Sequence, residues 1–298
     1  MKIKYKLSVA IMLIAMMSCK EGVKDFDATG TFESTEVIVS SENEGKILAL
    51  NIEEGDMLKA NQRVGIIDTT QLYLQMMQLS KNIKSVISNK PIVSTQIASI
   101  KDQISKQLIE KRRIENLLKG KAATTKQLDD VEANLNVLRS ELSAHKSTLN
   151  NNISSIDAQS SAISIQIAQI ADRLEKCKIK SPIEGIVLDK YMETGEFAVP
   201  NKPLFKVANM VNIYLRAYVT SQQLEKIKLG QKVKVFADFG GDTYKEYPGT
   251  ISWISQTSEF TPKGIQTPKD RANLVYAIKV NVKNDGIIKL GMYGEVKF

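Results

Sequence analysis

The sequence predicts a multidomain α+β protein, in which a small β-sandwich is split by a long antiparallel coiled-coil α-hairpin and followed by a small β-barrel. Three observations predict this class. One strand-turn-strand segment occurs twice, the two copies enclose a long stretch with a heptad-like apolar period, and strand-like runs follow the second copy. With 298 residues, 43% hydrophobic and 25% charged, the chain can form several globular domains.

Residues 1–18 are typical of a secretory signal peptide. Lysines 2, 4 and 6 precede an apolar run from Leu7 to Met17, which is shorter than the roughly 20 residues that span a bilayer. Cys19 follows directly, and its placement resembles the lipobox of bacterial lipoproteins, whose cysteine is diacylated and becomes the first mature residue. The alternative is an uncleaved anchor. In both cases the bulk of the chain is exported and tethered to a membrane.

Charge and cysteine content narrow the function classes. The formal net charge is +8, but lysines and arginines alternate with acidic residues along the chain, which indicates a solvated surface and no nucleic-acid partner. If Cys19 is lipidated, Cys177 has no intramolecular partner, because the chain has two cysteines. Cys177 is therefore predicted to be a small apolar packing residue.

The repeated segment predicts the sandwich. Residues 41–68 and 181–208 align without a gap at an offset of 140 residues, and each copy carries alternating apolar residues and an E-x-G-[DE] turn. Neither copy has enough apolar surface to fold alone, so we expect residues 37–69 and 179–209 to pack together. The shared pairs are Ser41/Ser181, Glu44/Glu184, Gly45/Gly185, Leu48/Leu188, Glu53/Glu193, Gly55/Gly195 and Asn61/Asn201.

Residues 70–178 predict the hairpin, because two apolar stripes with steps of three and four would pack against each other. Arms of about 50 residues give a length of about 70 to 80 Å. Pro91 is expected to kink the first arm, and a stutter is expected at Ile163 to Ile167. The stripe positions are Leu79, Ile83, Val86, Lys90, Val93, Ile97, Ile100, Ile104, Gln107, Lys111, Ile114 and Leu118, then Leu128, Val131, Leu135, Leu138, Leu142, His145, Leu149, Asn152, Ile156, Gln159, Ile163, Ile167, Ile170, Leu174 and Cys177.

His145 is the only histidine and falls on this stripe. A lone histidine offers no metal constellation, so we expect a partly buried polar residue that sets the register. The chain also lacks a phosphate-binding glycine loop and a C-x-x-C motif. These absences argue against an enzyme.

The hairpin tip is predicted at about residues 119–125. Gly120 is suited to a left-handed position after the first helix, and Thr124 to Gln127 form a capping box that opens the second. Asp129 and Asp130 would lie in its first turn. Arg113 and Leu117 are four residues apart and fall outside the stripe, so they share an outward face. A single exposed leucine is common, and the residues alone leave its purpose open.

Residues 210–298 predict the barrel. Its strand-like runs are Ile213–Val219, Lys232–Ala237, Tyr247–Ile254, Leu274–Val282 and the final LGMYGEVKF. A short helix from Thr220 to about Lys228 interrupts them. Residues 19–36 supply a linker and a barrel strand, and we expect the strand-like run Phe32–Ser40 to join the barrel.

The two sandwich halves resemble biotinyl/lipoyl carrier domains, in which a lysine on the joining hairpin carries the prosthetic group. Here the helical insertion replaces that hairpin, and no M-K-M or D-K-A-like triplet stands at the junction. This departure implies that the lipoyl-like sandwich carries no cofactor.

The run from Arg113 to Asp129 is similar to the hairpin-tip motif of periplasmic adaptor subunits, the HlyD/AcrA-type membrane fusion proteins. The resemblance implies that Arg113, Leu117 and Thr124 dock onto a TolC-like outer-membrane channel, with Thr124 in place of the usual serine. Ile114 likewise stands for leucine. The residues that match the turn of the motif are Gly120, Ala122, Ala123, Leu128 and Asp129.

The same resemblance implies a periplasmic location, an anchor in the inner membrane through Cys19, an inner-membrane transporter as partner and a ring of commonly six subunits. The Lys20-Glu21 pair after the cysteine leaves sorting to the outer membrane open as the alternative. The run from Glu259 to Val280 is similar to adaptors of ABC-type exporters, and a proton-driven efflux pump is the alternative. Two other classes stay open: a biotinyl/lipoyl carrier, and a structural coiled-coil protein without a channel partner.

Overall fold

The computed structural model describes residues 26–241, 243–259 and 274–298. Cys19, the predicted signal peptide and residues 260–273 of the exporter-like run lie outside these described residues. Within them, no helix combines the length and apolar character needed to cross a membrane.

The sandwich consists of two four-stranded sheets, ordered β2-β9-β7-β4 and β6-β5-β3-β8. Each sheet takes strands from both copies of the repeat, because the short strands exchange: β4 pairs with β7, and β8 pairs with β3. This exchange explains why neither copy is self-sufficient. The strands are β2 Glu36–Ser40, β3 Gly45–Leu50, β4 Met57–Leu58, β5 Arg63–Ile67, β6 Lys178–Lys180, β7 Gly185–Lys190, β8 Phe197–Ala198 and β9 Pro203–Ala208.

The repeated residues make matching contacts across an approximate twofold axis. Asn61 N–H donates to Ser181 O over 2.7 Å, and Asn201 N–H donates to Ser41 O over 2.8 Å. Both asparagines have left-handed backbone angles, with φ of 62° and 67°, a conformation that asparagine tolerates better than most residues. The asparagine therefore recurs in the two copies because the same backbone conformation is needed at the same point of each. Gly55 N–H to Val187 O and Gly195 N–H to Ile47 O, both 2.9 Å, are a further matched pair.

A lysine joins the two copies beside this axis. Lys190 Nζ lies 2.7 Å from Glu193 Oε2 and 3.1 Å from Glu53 Oε1, the two glutamates that the repeat equates. Its hydrogen bond to Glu193 raises the pKa of Lys190.

Cys177 is fully buried in the sandwich core with a free thiol, and burial raises the pKa of this thiol. The prediction that Cys177 is a packing residue is confirmed.

The barrel is closed, in the order β1-β10-β13-β12-β11-β14. The prediction that Phe32–Ser40 forms one strand of the barrel is wrong. The run breaks at Ser34, whose hydroxyl donates to Asn209 O, and β2 then leaves the barrel to pair with β9 of the sandwich. The barrel strands are β1 Ala28–Glu33, β10 Asn212–Thr220, β11 Lys232–Asp238, β12 Tyr244–Ile254, β13 Val275–Lys283 and β14 Tyr293–Lys297.

The hairpin has an interrupted first arm and a continuous second arm. The first arm comprises α1 Thr70–Ser88, α2 Val93–Gln96 and α3 Ala98–Lys119, and the second is α4 Thr125–Lys176. Pro91 therefore does more than kink the arm, because it lies in a non-helical segment of four residues, 89–92. Within this segment, Lys90 pairs with Asp157 on α4 over 3.0 Å. The fifth helix, α5 Ser221–Leu224, is shorter than predicted and is capped by Thr220.

The apolar stripe positions are buried or half-buried along both arms, as predicted, but the polar positions Lys90, His145, Asn152 and Gln159 are exposed. The expectation of a partly buried His145 is wrong. Its side chain is exposed, and burying the imidazole without hydrogen-bond partners would cost free energy. The stutter is also misplaced. Ile153 is half-buried and Asn152 is exposed, so the stripe moves from Leu149 to Ile153, an extra step of four residues. This stutter lies beside the non-helical segment around Pro91 in the first arm.

Candidate docking site at the hairpin tip

The turn between α3 and α4 is a Schellman motif. Ala122 N–H donates to Leu117 O over 2.8 Å, and Lys121 N–H donates to Leu118 O over 3.0 Å. The left-handed residue is Lys121, with φ of 58°, whereas Gly120 has φ of −84°. The predicted left-handed Gly120 is therefore wrong by one position. The helix extends through Lys119 and uses Gly120 as its C-cap.

This geometry predicts opposite results for two neighbouring substitutions. Lys121→Gly is expected to raise the free energy of unfolding by about 1 kcal/mol, because it removes the steric cost of a left-handed side chain. Gly120→Ala is expected to be neutral or slightly stabilising, since a Cβ there lies 3.5 Å from its nearest neighbour, Leu117 O. Urea unfolding followed by circular dichroism measures both. If Gly120→Ala loses stability and Lys121→Gly gains none, the left-handed residue is Gly120 and not Lys121.

The capping box that opens α4 is confirmed. Gln127 N–H donates to Thr124 Oγ1 over 3.4 Å, and Thr124 N–H donates to Gln127 Oε1 over 2.9 Å. The first turn of α4 contains no acidic residue. The predicted placement of Asp129 and Asp130 in the first turn is therefore wrong, because α4 starts at Thr125 and both residues lie beyond its first turn.

Arg113 and Leu117 lie outside the helix-helix contact, as predicted. The Arg113 side chain is 71% exposed and Leu117 is 39% exposed, whereas Ile114 between them is buried. Arg113 Nη1 is 3.6 Å from Glu110 Oε2, and an exposed pair at this distance binds the guanidinium weakly. A cation and an apolar side chain are thus available to a partner, one helical turn apart.

An ion pair connects the two arms beside this face. Lys111 Nζ lies 2.8 Å from Glu132 Oε1 on α4, and this hydrogen bond raises the pKa of Lys111. Lys111 lies two residues before Arg113, so this pair connects the two arms near the tip. Among the matched turn residues, Ala123 and Leu128 are half-buried and Ala122 is exposed.

The structure thus brings Arg113 and Leu117 to one outward face and places Thr124 at the start of the next helix, engaged in its cap. Sequence reasoning missed the left-handed Lys121, for which K-G-K gives no signal. The interruption at Pro91 had a signal, since N-K-P favours a turn. In the part of the chain that the structure describes, no cluster of histidine, cysteine, aspartate and glutamate could hold a metal ion.

The chain is similar in sequence to a known domain family and to known membrane proteins. The family model described as "RND MFP, barrel-sandwich hybrid domain" matches residues 35–209. The chain is 26% identical over 277 residues to a "UPF0194 membrane protein" of Yersinia pseudotuberculosis serotype IB (strain PB1/+), covering 85% of this chain and 83% of the relative.

Two solved structures share the fold. The first is MacA from Actinobacillus actinomycetemcomitans, with a TM-score of 0.53 and 21% identity over 90% of this chain and 76% of that chain. The second is the membrane fusion protein Spr0693 from Streptococcus pneumoniae R6, with a TM-score of 0.50 and 15% identity over 90% and 97%. Because the family match spans more than half of the chain, this protein belongs to the membrane fusion proteins, a family of periplasmic adaptors.

Proposed function

We propose that this protein is a non-catalytic adaptor that joins an inner-membrane transporter to a TolC-like outer-membrane channel for export of small molecules or peptides. The observation that carries the proposal is the exposed pair Arg113 and Leu117, at the far end of the hairpin and outside its packed stripe. A cation beside an apolar anchor suits a protein interface, where arginine is enriched and apolar anchors are buried. Thr124 extends this face towards α4.

The length of the hairpin supports the role of a spacer. The 52 residues of α4 extend about 78 Å at 1.5 Å per residue. Both arms connect to the sandwich, since α1 follows β5 and α4 precedes β6. The tip is thereby held far from the barrel, so the two ends can contact different partners.

The barrel end faces the transporter, and a diacylated Cys19 anchors the chain in the inner membrane on the periplasmic side. The subunits form a ring, commonly of six, through their lipoyl-like sandwiches. We favour an ABC-type transporter because of the run from Glu259 to Val280. Co-purification of the transporter with the adaptor distinguishes this partner from a proton-driven pump.

A carrier function is disfavoured by the connection between the sandwich halves. In carriers the modified lysine lies on the hairpin that joins the two halves, and no M-K-M or D-K-A-like triplet stands at that junction here. The insertion also occupies the place of the hairpin that bears the lysine in carriers. An intact mass without a biotinyl or lipoyl adduct is expected.

Photocrosslinking tests the docking proposal. A photoreactive amino acid at Leu117 is expected to yield an adduct with the outer-membrane channel in cells. The matched control position is Ile109, which is 68% exposed on the same helix and about 12 Å further from the tip. Equal channel adducts at both positions, or none at Leu117 in an exporting cell, would contradict the proposed contact.

A further inference from the structure

The turn between α5 and β11 presents a leucine to solvent. Leu229 is 68% exposed in a four-residue turn closed by the hydrogen bond from Gln231 N–H to Lys228 O, 3.1 Å long. Gly230 has φ of 81°, as in a type II turn. Gly230 N–H also donates to Ile251 O over 2.8 Å. The turn is therefore fixed to β12, and Leu229 projects from a rigid base.

Neither the turn nor the core needs this leucine. Proline is the residue that type II turns favour at the corresponding position, and the barrel core is filled here by Ile227, which is 5% exposed. Leu229 is thus an apolar side chain held outward without a partner among the described residues. Its burial in an apolar medium would be favourable.

The residues around Leu229 are basic. Lys226, Lys228 and Lys232 are exposed, and Glu225 is the only acidic residue between positions 225 and 232. Within the described ranges, no ion pair involves any of these three lysines, whereas Lys234 pairs with Glu246 over 2.9 Å. We call residues 225–232 the basic turn. It combines one apolar side chain with three cations, a composition that suits an anionic lipid surface.

The basic turn lies at the end of the barrel opposite the sandwich. The sandwich joins the barrel where β1 ends and β10 begins, and the basic turn follows the other end of β10. The N-terminal segment enters at this same far end: Phe298 N–H donates to Asp27 Oδ2 over 2.8 Å, and the Gln223 side chain of α5 donates to Asp27 O. The basic turn and the entry of the tether therefore share one end of the barrel.

The tether is short. Cys19 precedes Phe26 by seven residues, which span at most about 25 Å when fully extended. An acylated Cys19 would hold this end of the barrel within that distance of the bilayer. At such a high effective concentration, a weak second contact is sufficient to hold the barrel on the surface.

We propose that the basic turn inserts Leu229 into the interface of an anionic bilayer, with the three lysines at the lipid headgroups. The inference rests on the lipid anchor in the proposed function and adds a second membrane contact to it. One acyl anchor lets the chain pivot, whereas two contacts fix the direction of the barrel. The hairpin is then directed away from the membrane.

Site-specific fluorescence on the full acylated chain tests this contact. Leu229→Cys is labelled with an environment-sensitive dye, and Ile287→Cys is the matched control, since Ile287 is 49% exposed in the loop after β13, at the sandwich end. The unsubstituted chain, labelled in parallel, reports any dye on Cys19 or on the buried Cys177. The chains are reconstituted into vesicles of phosphatidylethanolamine and phosphatidylglycerol, or of phosphatidylcholine alone.

In the anionic vesicles we expect the dye at position 229 to shift to the blue, to be quenched by nitroxide lipids and to be shielded from iodide, with none of these effects at position 287. Replacing Lys226, Lys228 and Lys232 by glutamine is expected to lower the ratio of inserted to free turns more than tenfold, because each lysine contributes roughly fivefold. Neutral vesicles should give the same loss.

Three outcomes would overturn the proposal. If the chain binds to the vesicles but iodide reaches positions 229 and 287 equally, the Leu229 contact is absent and the lipid anchor is retained. If position 229 becomes shielded only when the transporter is added, the surface belongs to a protein partner. If the chain does not associate with either vesicle, the lipid anchor of the proposed function fails together with the second contact.

Discussion

Replacing Arg113 by aspartate together with Leu117 by serine is expected to reduce export more than tenfold and to leave the chain folded. Both side chains are exposed and lie outside the helix-helix stripe, so the free energy of unfolding should change by no more than about 0.5 kcal/mol. At an interface, each truncated anchor costs about 2 kcal/mol or more, and a reversed charge adds repulsion. The measurement is substrate efflux from cells that produce equal amounts of each variant.

The matched control for this result is Arg112→Asp. Arg112 is exposed and adjacent in sequence, but a helix rotates by about 100° per residue, so it points away from the face of Arg113 and Leu117. Export by this variant should equal that of the unsubstituted protein. If the double variant exports normally, the tip does not dock through these residues. If Arg112→Asp fails equally, the effect reflects general charge and not a specific contact.

The largest expected loss of stability comes from Phe205→Ala. Phe205 lies on β9 and is fully buried in the sandwich core, and removing such a side chain costs about 3 to 5 kcal/mol. Phe197→Ala is the matched control, because Phe197 belongs to β8 of the same sandwich but is 60% exposed. Its effect should stay within about 0.5 kcal/mol.

Two spectroscopic signals locate this effect in the molecule. Urea unfolding followed by circular dichroism reports mainly the long helices, whose ends the sandwich ties together. Trp253 is the only tryptophan and lies on β12 of the barrel, so its fluorescence reports the barrel. In Phe205→Ala the dichroism transition should move to lower urea while the fluorescence transition stays in place. Equal shifts in both phenylalanine variants would show that burial does not decide the outcome.

Much of the fold was predictable because the informative residues act within short segments of the chain, as turn residues, helix caps or members of a periodic stripe. Asn61 and Asn201 recur because each takes a left-handed backbone at the same point of a repeated unit. Thr124 and Gln127 form a capping box from a four-residue spacing. The outward position of Arg113 and Leu117 follows from helical periodicity once Ile114 is assigned to the stripe.

The sequence by itself thus determined the sandwich halves, the hairpin between them, the barrel strands from residue 212 onward and the face on which Arg113 and Leu117 lie. Only the tertiary structure decided that β4 and β8 exchange between the sheets, that Lys121 makes the turn, and that Leu229 lies at the barrel end where the tether enters. The left-handed Lys121 belongs to a local turn that K-G-K does not signal. The strand exchange and the position of Leu229 depend on packing between segments that are distant in the chain. Local periodicity carries no information about which of several equivalent residues that packing will expose.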